Sequence, residues 1–195
     1  MVHASDASAK TMLRLQMRSL RREAARETPD AADQLLAHLP PALLTSAKVV
    51  AGYRAHGAEI DPWLLIQAFA KAGARIALPA AVSLDAPLVF RAYGDGDTLR
   101  PDAAGVPSPT EEAARVEPDL IIIPLLAFDR LGARLGQGGG HYDRTLAALR
   151  ARGPVFVLGL AYAAQQAAHI PAEPHDQPLD AILTETGYIE AAKDL

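Results

Sequence analysis

Apolar positions near the start of the chain recur three and four residues apart. Leu13, Met17, Leu20 and Ala24 fall on one stripe, which predicts a helix from about Ser5 to Glu27. Lys10, Arg14, Arg18 and Arg21 form an adjacent stripe on the same cylinder. A second helix is predicted after Pro29, with Leu35, Leu36 and Leu39 inward, stopping at Pro40-Pro41. The period then changes. KVVAGY (48–53), RIALP (75–79), LVFRAY (88–93), VFVLGL (155–160) and AILTE (181–185) read as strands. DLIIIP (119–124) is a continuous β-branched run, the pattern of a strand covered on both faces. Residues 61–73 read as a helix with Asp61 as N-cap, Pro62 at the first helical position and Gly73 past the end. Residues 142–153 read as another, ending at Gly153.

Strands alternating with helices predict an α/β fold. Its sheet should be three-layer and mostly parallel, with helices on both faces and two leading N-terminal helices. A length of 195 residues suits one domain spanning 1–195. The stretch from 94 to 118 is rich in Pro, Gly, Asp and Glu. A loop of that length is either functional or disordered.

Composition narrows the classes. Hydrophobic residues make up 50% and charged residues 22%, as in a soluble globular protein, and the net charge of -4 leaves no broad nucleic-acid footprint. Cysteine is absent, which excludes disulfides, thiolate metal sites and cysteine nucleophiles. The Arg-rich start has no signal-peptide core. It slightly resembles a transit peptide, a reading weakened by Asp6, Glu23 and Glu27. No apolar run reaches the roughly 20 residues that span a bilayer. The expectation is a cytoplasmic protein with no membrane and no nucleic-acid partner.

The segment RLGQGGGHYD (134–143) concentrates the candidate chemistry. Glycines at 136, 138, 139 and 140 remove side chains where backbone must approach a ligand. Their N–H groups, with a helix N-terminus beyond, would form an anion nest beside Arg134. No Lys-Ser/Thr follows, so it is not a Walker loop, and the GxGGG spacing is not the Rossmann fingerprint. A flexible strand-to-helix turn explains the composition nearly as well. Asp143 either compensates the helix dipole or ligates magnesium beside phosphates. Asp180, before the last strand, could be a second carboxylate or a surface residue. Lys10 and Arg14, one turn apart, form a solvated face unless an anion bridges them. Glu59 lies in a strand-to-helix loop, where open α/β sheets bind ligands, although it or Asp61 could simply be capping. The six histidines show no metal spacing, and only His141 stands in a suggestive place.

Together these pieces resemble the 5-formyltetrahydrofolate cyclo-ligase family, over roughly Lys10 to Glu185. The anchor is DLIIIPLLAFDRLGARLGQGGGHYDRTL (119–146), with the early Lys10…Arg14 pair, AGYRAHGAEIDP and GVPSPT (105–110) in support. The resemblance implies ATP-dependent conversion of 5-formyltetrahydrofolate to 5,10-methenyltetrahydrofolate, with ADP and phosphate released. The formyl oxygen would take the γ-phosphoryl group and the folate N10 would then attack. It implies ATP contacts from Lys10, Arg14 and the run Arg134, Leu135, Gly136, Gln137, Gly138, Gly139, Gly140, His141 and Tyr142. Arg134 and Tyr142 would be catalytic. Folate would be held by Arg54, Glu59 and the loop residues 137–141. Asp143 and Asp180 would bind Mg2+, and a monomer is expected. Four residues depart from the family pattern: His141 stands where an aromatic is common, Ser108 where an acidic or amide residue is frequent, and Leu125 and Leu126 where smaller residues are usual. Two other readings remain open: a non-catalytic folate-binding relative, and a different enzyme on a similar scaffold, such as a sugar-phosphate isomerase or acyl-CoA transferase.

Overall fold

The computed structural model describes residues 3–192. Its first helix, α1 (His3–Glu27), is followed by α2 (Ala31–His38) and α3 (Pro41–Ser46). The predicted stop at the Pro pair is therefore also a start. Pro41 takes the first helical position of α3, where its missing N–H costs nothing. Three helices lead, not two.

The sheet then begins with β1 (Val49–Ala51), α4 (Trp63–Lys71), β2 (Arg75–Ala80) and β3 (Val89–Ala92). The α4 start falls one residue later than Asp61 capping predicts, yet the Asp61 carboxylate still accepts the Trp63 N–H at 3.0 Å. The stretch 94–118 is not structureless: β4 (Leu99–Pro101) and β5 (Pro107–Pro109) pair as an antiparallel ribbon. Next come β6 (Leu120–Pro124), a small hairpin of β7 (Ala127–Phe128) and β8 (Arg134–Leu135), and α5 (His141–Arg150). The chain finishes with β9 (Phe156–Leu160), a 3-10 turn at Ala163–Gln165, β10 (Ala181–Thr184) and β11 (Gly187–Glu190). Strand β11 is absent from the sequence reading. It returns antiparallel on β10 through a two-residue turn, with Thr184 opposite Gly187.

Seven strands form one sheet in the order β11-β10-β9-β6-β1-β2-β3. The strands β2, β1, β6, β9 and β10 are parallel, while β3 and β11 run antiparallel at the two edges. This is the expected α/β architecture.

Alternation along the strands supplies two cores. Val50, Leu120, Ile122, Leu158 and Leu183 face one cluster, closed by Leu35 of α2 and Leu65 and Phe69 of α4. Ala51, Ile121, Ile123, Val157 and Ile182 face the other, closed by Leu146 and Leu149 of α5. Burial of each Val, Leu, Ile or Phe side chain among them stabilises by about 1.5–3 kcal/mol. A third cluster joins Leu13, Met17 and Leu20 of α1 to Leu126, Leu135 and Ile170. The predicted apolar stripe of α1 thus docks on the β7–β8 hairpin and leaves the cationic stripe beside it.

The strand order reverses between β1 and β6. From β1 the chain proceeds to β2 on one side, and from β6 to β9 and β10 on the other. Loops leaving the carboxyl ends of β1 and β6 therefore diverge and leave a crevice between them.

Candidate functional site

That crevice opens into a cavity of about 630 Å³. This is within the range of small-molecule sites. Its walls include the loop after β1, the cationic stripe of α1, the glycine loop, the β4–β5 ribbon with Asp102, Val106 and Pro107, and Glu173 and Asp176 from the segment before β10. The 94–118 stretch is thus one of its walls.

The glycine loop is set by backbone conformation. Gly138 and Gly140 have φ of 106° and 66°, values that L side chains rarely adopt. Gly140 precedes α5, whose N-terminal N–H groups lie at the cavity. Arg144 of α5 fastens the loop, its Nη2 donating to Gly139 O at 2.9 Å and to Leu84 O at 3.0 Å. Arg14 Nε donates to Gly136 O at 3.1 Å, and Arg18 donates to the Gln137 side chain.

The expected loop residues 134–142 all line this cavity, together with Lys10, Arg14, Arg54, Glu59 and Asp143. Arg134 is already engaged. Its Nη2 donates to Asp143 at 2.8 Å and its Nη1 to Gln177 O. Asp143 also accepts the Gln177 N–H at 3.0 Å. Burial pushes the Tyr142 phenol well above its usual range, with the Glu59 charge adding to the effect, so the hydroxyl stays protonated. His141 heads α5, and its Nε2 is buried with no hydrogen-bond partner among the described residues.

Lys10 is not a free cation here. It is 5% exposed and lies 2.7 Å from Glu173 and 2.6 Å from Asp176. Burial works against its charge, but these two hydrogen-bonded carboxylates outweigh it and raise its pKa. Burial likewise opposes the Asp176 charge, and the Lys10 hydrogen bond still holds that carboxyl below its usual range.

Asp180 is not brought to the cavity. Its carboxylate accepts the Val157 N–H at 2.9 Å and pairs with Arg150 at 3.3 Å. Val157 lies near the start of β9 and Asp180 precedes β10, so this carboxylate stands at the edge where the strands begin. The cavity lies at the opposite edge. The carboxylates that the 173–180 segment does bring there are Glu173 and Asp176. With His175 they offer ligand atoms within 4.8 Å of one another.

On the other wall, Glu59 accepts the His56 N–H at 3.0 Å and pairs with Arg21 at 3.3 Å. Arg54 lies over the Trp63 ring at 5.1 Å. Tyr53 is buried, and its hydroxyl donates to Ile60 O at 2.7 Å, which fixes the loop carrying Glu59. Ser108 is buried in β5 and donates to Val106 O. Leu125 and Leu126 are absorbed in two different clusters of the core. Sequence reasoning gave no site role to Arg21, Glu173 or Asp176. Arg21 carried a usable signal, since it falls seven residues after Arg14 on one helical face.

Fold and cavity define an open α/β protein with a glycine loop lining a cavity at its topological switch point. A profile of the 5-formyltetrahydrofolate cyclo-ligase family matches residues 6–185. The 5-formyltetrahydrofolate cyclo-ligase of Escherichia coli (strain K12) is 33% identical over 178 residues, covering 89% of this chain and 96% of the relative. That of Mycolicibacterium smegmatis is 36% identical over 150 residues, 73% of this chain and 76% of the relative. The solved 5,10-methenyltetrahydrofolate synthetase of Aquifex aeolicus superposes with a TM-score of 0.77 at 26% identity, over 95% of this chain and 94% of that one. The synthetase from Mycoplasma pneumoniae shares the fold, with a TM-score of 0.68 at 23% identity over 90% of this chain and 98% of that one. The chain belongs to the 5-formyltetrahydrofolate cyclo-ligase family, enzymes that convert 5-formyltetrahydrofolate to 5,10-methenyltetrahydrofolate with ATP. Among the described residues, no helix is long and apolar enough to cross a membrane.

Proposed function

We propose that the cavity carries out the family reaction by holding ATP on the glycine loop and folate against the Glu59 wall. The observation that carries this is the meeting of both walls in one cavity. The glycine loop and the α5 N-terminus supply N–H groups for phosphate, with Arg14 beside them. Glu59 and Arg54 line the same cavity.

In this reading the formyl oxygen attacks the γ-phosphorus, and the bond to the departing ADP breaks. The folate N10 then attacks the activated formyl carbon, and the carbon–oxygen bond breaks to release phosphate, which takes up the N10 proton. Every bond change occurs within the two substrates, so no protein nucleophile is needed. The protein supplies position and charge neutralisation. Tyr142, with its hydroxyl kept protonated, donates to an oxygen of the reacting group. Arg134 adds positive charge while anchoring the loop through Asp143.

The donor set suits a hard divalent cation, since oxygen carboxylates border a phosphate-binding loop. Asp143 and Asp176 would hold Mg2+, with Gln177 N–H joining the two segments. Asp180 is tied to Val157 and Arg150 and does not line the cavity, so this reading gives the second carboxylate role to Asp176. When bound, the ion neutralises phosphate charge, and Lys10 would then exchange Asp176 for a phosphate oxygen. We assign the protein to the cytoplasm, as a single-domain monomer acting on small molecules. Mixing the protein with 5-formyltetrahydrofolate, with and without Mg·ATP, tests the reading. It predicts that the methenyl-folate absorbance appears only with the nucleotide.

A further inference from the structure

Arg21 projects from α1 into the wall of the cavity and is 8% exposed. Among the described residues only its Nη1 is bonded, at 3.3 Å to Glu59 Oε1 and at 3.5 Å to Leu125 O. Both are long, and the second lies at the limit of a hydrogen bond. Nε is buried with no partner, and no hydrogen bond among the described residues reaches Nη2. Leu125 O does not need Arg21, because the Gln165 side chain donates to it at 2.9 Å. A guanidinium this buried with most of its fork unused is a poor structural tie. A buried donor left without a partner marks a place that a ligand can complete.

The neighbour fixes what kind of ligand that is. Glu59 turns an acceptor into the same wall, with Oε2 held by the His56 N–H and Oε1 beside Arg21. The wall therefore presents a donor next to an acceptor. The complement is a ring carbonyl next to a ring N–H, the lactam edge of a 4-oxo pteridine.

We infer that Arg21 is a substrate-binding residue that reads this edge together with Glu59. Its guanidinium donates to the 4-oxo oxygen, while the Glu59 carboxylate accepts from the adjacent ring N–H. The inference rests on the folate placement proposed above. It adds a specificity: a 4-amino analogue of 5-formyltetrahydrofolate would meet Arg21 with a donor and be rejected, since a buried donor would be left unpaired.

The test is the dissociation constant of 5-formyltetrahydrofolate, and separately of ATP, for wild type, Arg21→Met, Arg21→Lys, Glu59→Gln and the Arg21→Met/Glu59→Gln double variant. Arg21→Met should weaken folate binding on the order of 10-fold or more, because a hydrogen bond to a charged group is lost. ATP binding should stay unchanged. Arg21→Lys keeps the charge but lacks the fork, and should fall between. It is also the variant to rely on if Arg21→Met does not fold. In the Glu59→Gln background, Arg21→Met should weaken folate binding again. No further loss there would mean that Arg21 acts only as a tie to Glu59, and would overturn the proposal. Unchanged folate affinity in Arg21→Lys and Arg21→Met, or an equal loss for ATP, would also overturn it. If Glu59→Gln itself binds folate as wild type does, the folate placement fails, and that result is distinct from a failure at Arg21 alone.

Discussion

Arg134 and Asp143 stand at the two ends of the glycine loop and close it with a 2.8 Å ion pair. The pair links β8 to the first turn of α5, and both partners also hold the backbone of Gln177. Asp143 therefore has two duties in this account: it closes the loop, and it faces the nucleotide. The two separate by substitution. Asp143→Asn keeps an acceptor for the Gln177 N–H but loses the charge. It should cost about 1 kcal/mol in stability, discounted for partial exposure. Its kcat/KM for Mg·ATP should fall on the order of 100-fold. Thermal melts beside steady-state kinetics check both. A large fall in Tm with unchanged kinetics would assign Asp143 to loop closure alone.

Asp176 and Asp180 are four residues apart but lie at opposite edges of the sheet. Asp176→Asn should raise the Mg2+ concentration needed for half-maximal activity by about 10-fold or more. Asp180→Asn should leave that requirement alone and lower Tm instead, because it weakens the tie to Val157 and Arg150. A Mg2+ titration of both variants distinguishes them. A shift confined to Asp180→Asn would return the metal to that residue.

The Lys10 cluster makes stability depend on pH in a definite direction. The folded Lys10 pKa lies above its ordinary 10.5. Its contribution is therefore complete below that value and is lost as pH rises through the raised one. The Glu173 and Asp176 carboxyls lie below their ordinary 4.5 and 3.8, chiefly through the Lys10 hydrogen bond for Glu173, and for Asp176 because that bond outweighs the opposing effect of burial. Their contribution is complete above that range and is lost as pH falls through the depressed values. The Tm difference between wild type and Lys10→Met should be widest from about pH 5 to pH 9 and should narrow at both extremes. A difference that is flat with pH would remove the ion cluster as its source.

Much of this was legible from local pattern. The run Leu120–Pro124 is apolar at every position because the strand is covered on both faces, and burial of Ile121, Ile122 and Ile123 follows from that. Leu13, Met17 and Leu20 announced one face of α1 by spacing alone. The glycine loop was visible because φ values such as those at Gly138 and Gly140 select glycine. What remained hidden depends on long-range placement. Strand β11 needs β10 as a neighbour, and its four residues carry no strong strand signal. Whether Asp176 or Asp180 reaches the cavity is decided by the path of 173–180 along α5, from Gln177 beside Asp143 to Asp180 beside Arg150. Carboxylates four apart on a non-helical segment look equivalent until that path is known. The ion pairing of Lys10 was hidden for the same reason, since its partners are more than 160 residues away.

The central claim is that one cavity joins ATP to 5-formyltetrahydrofolate chemistry. The most direct measurement is the absorbance of methenyl-folate in a mixture of the purified protein and 5-formyltetrahydrofolate, followed on addition of Mg·ATP. The account predicts no signal before the nucleotide. After it, the signal should rise with one ADP formed for each folate converted. Binding of 5-formyltetrahydrofolate with no methenyl product and no ADP would contradict it, and would make the protein a folate-binding relative without the activity.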